Sequence, residues 1–226
     1  MKQYRKLVLA SGSPRRRELL SAAGLTFEVV QSTEDEKITE TLPDRIVMDL
    51  AARKAGSVAS ALSKPGTLVI GADTIVVLES SRGDEIPLLD ARPASGFSRK
   101  TSIRGPAHNK ILGKPRDKEE ALSMLLSLSG RVHQVFTGVC VLEPPGKEPP
   151  ALLFFEETQV EMEPYDRETA LSFIETGIPM DKAGAYAIQG LGSFLVKGIT
   201  GDFHNVMGFP LGRFIREGMK KGWFKL

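Results

Sequence analysis

From Thr67 to Leu78 the chain reads Thr-Leu-Val-Ile-Gly-Ala-Asp-Thr-Ile-Val-Val-Leu, rich in β-branched residues and apolar almost without a break. A strand that is apolar on both alternating faces must be covered on both sides, the condition of a central strand between layers of helices. The remaining pattern supplies those layers. Leu7 to Ala10 reads as a short buried strand, Ser11-Gly12-Ser13-Pro14 as a tight turn, and the next stretch as a helix to Ala23 closed by Gly24. Phe27 to Gln31 reads as a second strand, and Pro43 opens a long helix to about Leu62 whose apolar face holds Val47, Leu50, Ala51 and Val58.

Further on, Asp117 is placed to cap a helix through Leu128, with Gly130 past its end. Val132 to Leu142 and Ala151 to Met162 read as two strands of a hairpin around the Pro144-Pro145-Gly146 and Pro149-Pro150 clusters. Tyr165 to Thr176 reads as a helix stopped by Gly177. A glycine-rich segment from Asp181 to Gly192 leads to a strand at Phe194 to Lys197, and Pro210 to Met219 closes the chain as a helix with Leu211, Phe214 and Ile215 inward. Strands alternating with helices predict an α/β fold, a central mixed twisted sheet flanked by helices. A single domain is expected over residues 1–226, with an insertion at 80–109 where Ser, Arg, Gly and Pro dominate and no apolar period survives.

Bulk properties narrow the function. The 226 residues are 41% hydrophobic and 26% charged, enough to bury a core, and 30 Lys plus Arg against 28 Asp plus Glu give a formal charge of only +2. That balance argues against a protein that coats nucleic acid polymers, so any anion binding must come from a local cluster. Cys140 stands alone, which excludes an internal disulfide and a multi-cysteine zinc site; it reads as a small buried apolar residue. The polar start, Met1 to Lys6, has no signal-peptide pattern and no segment reads as a membrane span, so a cytoplasmic location is expected.

Two anomalies carry chemistry. Ser13-Pro14 places a side-chain oxygen at a helix N-cap and a preset φ at the first helical position, after which Arg15, Arg16 and Arg17 fall in the first turn. Cations there oppose the helix dipole by roughly 0.3–1 kcal/mol each unless an anion sits among them. A polyphosphate cradle and a solvent-facing basic turn both fit, and Arg17 fits the surface best. The second anomaly is Asp73, an acid inside the Val/Ile strand, costly to bury unless paired or metal-bound. Neighbouring Gly71 permits close approach of a ligand or of a second backbone. Glu34, in the acidic Glu34-Asp35-Glu36 run, is a candidate second carboxylate for a divalent ion; an exposed loop is the bland alternative. Lys54 on the apolar helix face, Lys114 in Gly-Lys-Pro and Lys182 in Asp-Lys-Ala-Gly offer point charges to phosphate oxygens, although a snorkelling lysine explains any one of them. Gln189 has an amide suited to a base edge, with Tyr186 able to pack nearby. His108, His133 and His204 show no metal spacing and read as structural. No Gly-x-x-x-x-Gly-Lys-Ser/Thr stretch occurs, which argues against a P-loop NTPase.

Taken in order, Leu9-Ala-Ser-Gly-Ser-Pro-Arg-Arg16, Lys54-Ala55, Gly71-Ala-Asp-Thr74, Gly113-Lys-Pro115, Leu128-Ser-Gly-Arg131, Thr137-Gly-Val139, Asp181-Lys-Ala-Gly-Ala-Tyr186, Ile188-Gln-Gly190, Gly201-Asp-Phe203 and Asn205-Val206 resemble the Maf family of nucleotide pyrophosphatases over nearly the whole chain outside 80–109. The resemblance implies a central mixed sheet with a cleft between two lobes, similar to inosine triphosphate pyrophosphatases, often as a homodimer. It implies hydrolysis of a nucleoside triphosphate to the monophosphate and pyrophosphate with a divalent cation, Mg²⁺ or Mn²⁺. By position Asp73 matches the family's proton acceptor, and Arg15, Thr74 and Gln189 its specificity positions. Arg16, Glu34, Lys54 and Lys114 match its polar residues around the phosphates. The 181–190 pattern resembles the branch acting on dTTP and UTP rather than the branch acting on 7-methyl-GTP; Ala187 stands where glycine is common. The rival expectations are a pyrophosphatase acting on 7-methyl-GTP or other modified nucleotides, and a non-catalytic nucleotide-binding regulator of cell division.

Overall fold

The computed structural model describes residues 1–34, 37–62, 66–79, 109–145 and 149–226. The expected insertion at 80–109 lies outside the described residues except for Asn109, as do Asp35, Glu36 and His108. Strands β1 (Lys2–Gln3), β2 (Lys6–Leu9), β3 (Phe27–Val29), β4 (Thr67–Leu78), β5 (Lys110–Leu112), β6 (Val132–Leu142), β7 (Leu152–Met162), β8 (Val196–Thr200) and β9 (Phe224–Lys225) alternate with helices α1 (Pro14–Ala22), α2 (Pro43–Ala61), α3 (Lys118–Leu128), α4 (Arg167–Glu175), α5 (Phe203–Val206) and α6 (Leu211–Lys220). Strands β1 and β9 pair with each other, and the rest form a mixed seven-stranded sheet in the order β3-β2-β4-β6-β7-β8, with β5 also on β4.

β4 is the axis of the molecule, as its composition requires. Leu68, Ile70 and Ala72 point to one face, into a core with Leu19 and Leu20 of α1 and Leu211 and Phe214 of α6. Farther along that face Val76 and Leu78 enter a second core with α3 and α4. Thr74 stands at the seam between the two. The opposite face, with Val69, Ile75 and Val77, is covered by α2.

Two glycines let α2 lie almost on the sheet. A Cβ on Gly71 would collide with the Ala51 carbonyl oxygen, and one on Gly138 with the Val47 carbonyl oxygen. Gly71 therefore admits a second backbone, the α2 helix, and Gly138 on β6 does the same one strand over.

Several boundaries differ from the sequence reading. Helix α4 starts at Arg167 behind the Asp166 cap, because Tyr165 is used elsewhere: its N–H meets the Ser129 hydroxyl at 2.8 Å and its own hydroxyl donates to Leu125 O at 2.7 Å. The strand expected at Phe194 to Lys197 begins only at Val196, since residues 190–195 form a 3₁₀ turn. The edge strand β3 ends at Val29, two residues short of the expected Gln31.

Because neither backbone at the α2 crossing can retreat without opening the core, Gly138→Ala is expected to lose about 2–3 kcal/mol of stability through overpacking. Thermal unfolding should show this as a drop of several degrees.

Candidate active site

The site begins with a gap in the sheet. β2 pairs with β4 only through Lys6–Leu9 against Thr67–Ile70, and β5 pairs only with Val76–Leu78. Among the described residues no strand covers that edge of β4 along 71–75, while the other edge stays paired to β6. The gap lies at the carboxyl end of a parallel strand and at the amino end of the helix that follows it, the usual place for a ligand in an open α/β sheet. A cavity of about 900 Å³ occupies this place. Every predicted site residue lines it: Ser13, Arg15, Arg16, Glu34, Lys54, Asp73, Thr74, Lys114, Lys182 and Gln189.

Strand alternation sorts the cavity into two sides. Asp73 points to the α2 face, where Lys54 Nζ meets its Oδ1 at 2.5 Å, and both side chains are nearly buried. Lys54 is thus the partner that makes a carboxylate inside this strand tolerable. Asp73 Oδ2 has no protein hydrogen bond among the described residues. Glu34 is set on the same side: the Ser32 hydroxyl bridges to Ser57 of α2 at 2.8 Å and receives the Glu34 N–H at 3.2 Å. Glu34 itself is exposed.

Thr74 points the other way, towards Arg16, Gly208 and Thr137. On its side the lining includes Tyr186, Ile188, Val206 and Met207. The charged side suits a polyphosphate and the apolar side suits a flat base.

The basic turn resolves into three fates. Arg16 is buried, and its guanidinium donates to Gly208 O at 2.8 Å, Ala72 O at 2.8 Å, Ser11 Oγ at 3.1 Å and Thr74 Oγ1 at 3.1 Å. It ties α1, β4 and the Gly208 loop together, and carbonyl dipoles offset the unfavourable helix end. Arg15 reaches across to the 178–185 segment, with Nη2 3.3 Å from Asp181 O and Nη1 3.7 Å from its Oδ2. Arg17 is exposed, as expected.

Ser13 occupies the N-cap of α1, yet its side chain makes no capping bond; instead its own N–H is accepted by Ser11 Oγ at 3.2 Å. The capping expectation is corrected, and the hydroxyl lines the cavity.

Lys182 is largely committed, to Ile178 O at 2.7 Å and to Asp181 Oδ1 at 2.5 Å. Burial alone would raise the Asp181 pKa, but the Lys182 hydrogen bond and the Arg15 and Lys182 charges outweigh it and hold the carboxyl below its ordinary range. Sequence reasoning gave Asp181 no role, and its place in the motif is the only signal. Lys114 is exposed and makes no ion pair among the described residues. Gln189 is exposed at the rim.

The segment that carries Lys182 and Gln189 is locally strained. Gly184 has φ 71° and Ala185 φ 58°, a conformation that costs a non-glycine residue about 1 kcal/mol or more. Two anchors hold it: Gly184 N–H donates to Gly113 O at 3.0 Å, next to Lys114, and the buried Tyr186 hydroxyl meets His133 Nε2 at 2.8 Å. Tyr186 thus lines the cavity as expected, with His133 behind it.

Among the described residues no group of three or more His, Cys, Asp or Glu is gathered for a metal. Asp73 and Glu34 both line the cavity, and carboxylate oxygens are the kind of hard donor that Mg²⁺ or Mn²⁺ takes.

His133 is 1% exposed, and burial pushes its pKa down from 6.5 to about 4. Between those values the unfolded chain binds the proton that the folded one refuses, so stability is complete above about pH 6.5 and falls as the pH drops towards 4. The loss should be on the order of 3 kcal/mol. Urea denaturation across this range is expected to show a smaller decline for His133→Gln than for the wild type, even if the variant starts less stable at pH 7.

A family model described as Maf-like protein matches residues 6–218. The dTTP/UTP pyrophosphatase of Thermoanaerobacter sp. (strain X514) is 44% identical over 208 residues, 92% of each chain. The protein of that name from Geobacillus sp. (strain WCH70) is 42% identical over 220 residues, 97% of this chain and 100% of its own, and that from Bacillus anthracis is 39% identical over 214 residues, 94% of each. With the ordered motifs gathered around one cavity and likeness along almost its full length, the chain belongs to the Maf family.

Proposed function

We propose that this chain hydrolyses nucleoside triphosphates, dTTP and UTP foremost, to the nucleoside monophosphate and pyrophosphate. The observation that carries the reading is Asp73: a nearly buried carboxylate, paired through one oxygen with Lys54, in a cavity that also holds Arg15, Lys114 and Lys182. The relatives' names supply the substrates.

In this reading the triphosphate lies on the charged side, against Lys54 and Lys114, with Arg15 and Lys182 at the other wall. Water attacks the α-phosphorus in line; the new P–O bond forms as the bond to the β-phosphate oxygen breaks, and the electron pair leaves with pyrophosphate. Asp73 takes the proton of the attacking water, while the ion pair with Lys54 orients the carboxylate. A Mg²⁺ or Mn²⁺ ion held by Asp73 and Glu34 would neutralise phosphate charge. Arg16 is engaged with backbone carbonyls and supports the wall of the site more than it reaches the phosphates.

Asp73→Asn preserves the shape but not the base. It is expected to lower kcat by about 10²–10⁴-fold while nucleotide binding persists, measured as pyrophosphate release and by calorimetry. If the wild-type protein releases no pyrophosphate from dTTP or UTP with either metal, the proposal fails.

A further inference from the structure

Behind Thr74 runs a chain of hydrogen bonds whose direction is fixed by counting protons. Thr137, on β6 directly opposite Thr74, is fully buried; its hydroxyl lies 3.1 Å from the Asn205 carbonyl oxygen and 2.9 Å from Thr74 Oγ1. A carbonyl can only accept, so the single Thr137 proton goes to Asn205. Thr74 must then be the donor to Thr137. The Asn205 carbonyl is itself held in place, because the Asn205 side-chain amide donates to Val135 O and to Thr158 Oγ1, each at 3.0 Å.

Arg16 Nη2 donates to Thr74 Oγ1 at 3.1 Å and takes one lone pair. The other acceptor near Thr74, Gly208 O at 3.4 Å, already receives Arg16 Nε at 2.8 Å. Either acceptor spends the Thr74 proton inside the protein. What remains for the cavity is a lone pair.

We propose that Thr137 is a positioning residue for base selection: by holding the Thr74 hydroxyl proton it makes Thr74 an acceptor only, so that the site takes a pyrimidine through an N–H. This rests on the dTTP/UTP reading and deepens it. Uracil and thymine carry one donor on their pairing edge, N3–H, between two carbonyl acceptors. Thr74 can take only that N3–H. Cytosine seated in the same place presents a bare acceptor at N3, which would face the Thr74 lone pair unpaired, and its one donor, the N4 amine, stands a ring position away. The Thr74 side of the cavity is also the side lined by Tyr186, Ile188 and Met207, suited to a ring rather than to phosphates.

The test compares Mg²⁺-supported binding of the α,β-imido analogues of UTP and CTP, by calorimetry, for the wild type, Thr137→Val and Thr137→Ser. The wild type should favour the UTP analogue by roughly tenfold or more. In Thr137→Val the Thr74 proton loses its nearer acceptor and keeps only the long contact to Gly208 O, which Arg16 Nε already occupies, so it can turn to the cytosine N3; the ratio should fall several-fold, chiefly because the CTP analogue gains. Thr137→Ser should restore it. Thr137→Ala removes the same oxygen and gives the same readout should the valine variant not fold.

A purely structural role would weaken both analogues alike, so an unchanged ratio in Thr137→Val or Thr137→Ala overturns the inference. So does a wild type that binds both analogues equally. Pyrophosphate release from UTP by the wild type is measured in parallel: its absence defeats the hydrolase reading, whereas the binding ratio still decides the role of Thr137.

Discussion

The organisation of this protein turns on a stretch of strand that, among the described residues, is unpaired along one edge. A pleated strand sends neighbouring side chains to opposite faces, and in a fully paired sheet those faces never share a solvent space. Along residues 71–75 of β4, one neighbour has ended at Ile70 and the next begins at Val76. Asp73 from one face and Thr74 from the other therefore reach the same cavity. One side inherits charge from α2, and the other inherits apolar surface from the loops around residues 186–188 and 206–208.

Charge is managed at short range throughout the site. The three consecutive arginines at the start of α1 look like an error of helix design, yet each finds a different setting: Arg16 among carbonyls, Arg15 beside Asp181, Arg17 in solvent. Lys54 and Asp73 neutralise one another where neither could be buried alone. Asp181 bridges Arg15 and Lys182 and so links α1 to the segment that carries Gln189. Arg15, Lys54 and Lys182 are thus each held by a carboxylate of the protein itself.

Much of this was legible in the sequence. The apolar run around Asp73 identified the central strand, Pro43 and the spacing of Val47, Leu50 and Ala51 identified α2, and the Asp117 and Asp166 caps lie where their helices begin, although the second cap was read as part of its helix. Other features left no local mark. The N-cap position of Ser13 was evident, but not that its hydroxyl would make no capping bond. Nothing in the neighbourhood of Arg16 announces the Gly208 carbonyl it binds, which arrives from the far end of the chain. The Thr74–Thr137–Asn205 relay joins three residues whose motifs were visible separately and whose connection was not.

The layered α/β class, the central strand, the residue types able to hold a phosphate tail and the family resemblance can all be read from the amino acids alone, because periodicity, capping and ordered motifs are written along the chain. Packing settles which glycines make room for a helix, which arginine turns inward, where β2 and β5 stop pairing with β4 and in which direction each hydroxyl points. Those outcomes depend on carbonyls and side chains brought together across long separations, and a carbonyl's availability is a property of the packed backbone rather than of any residue type.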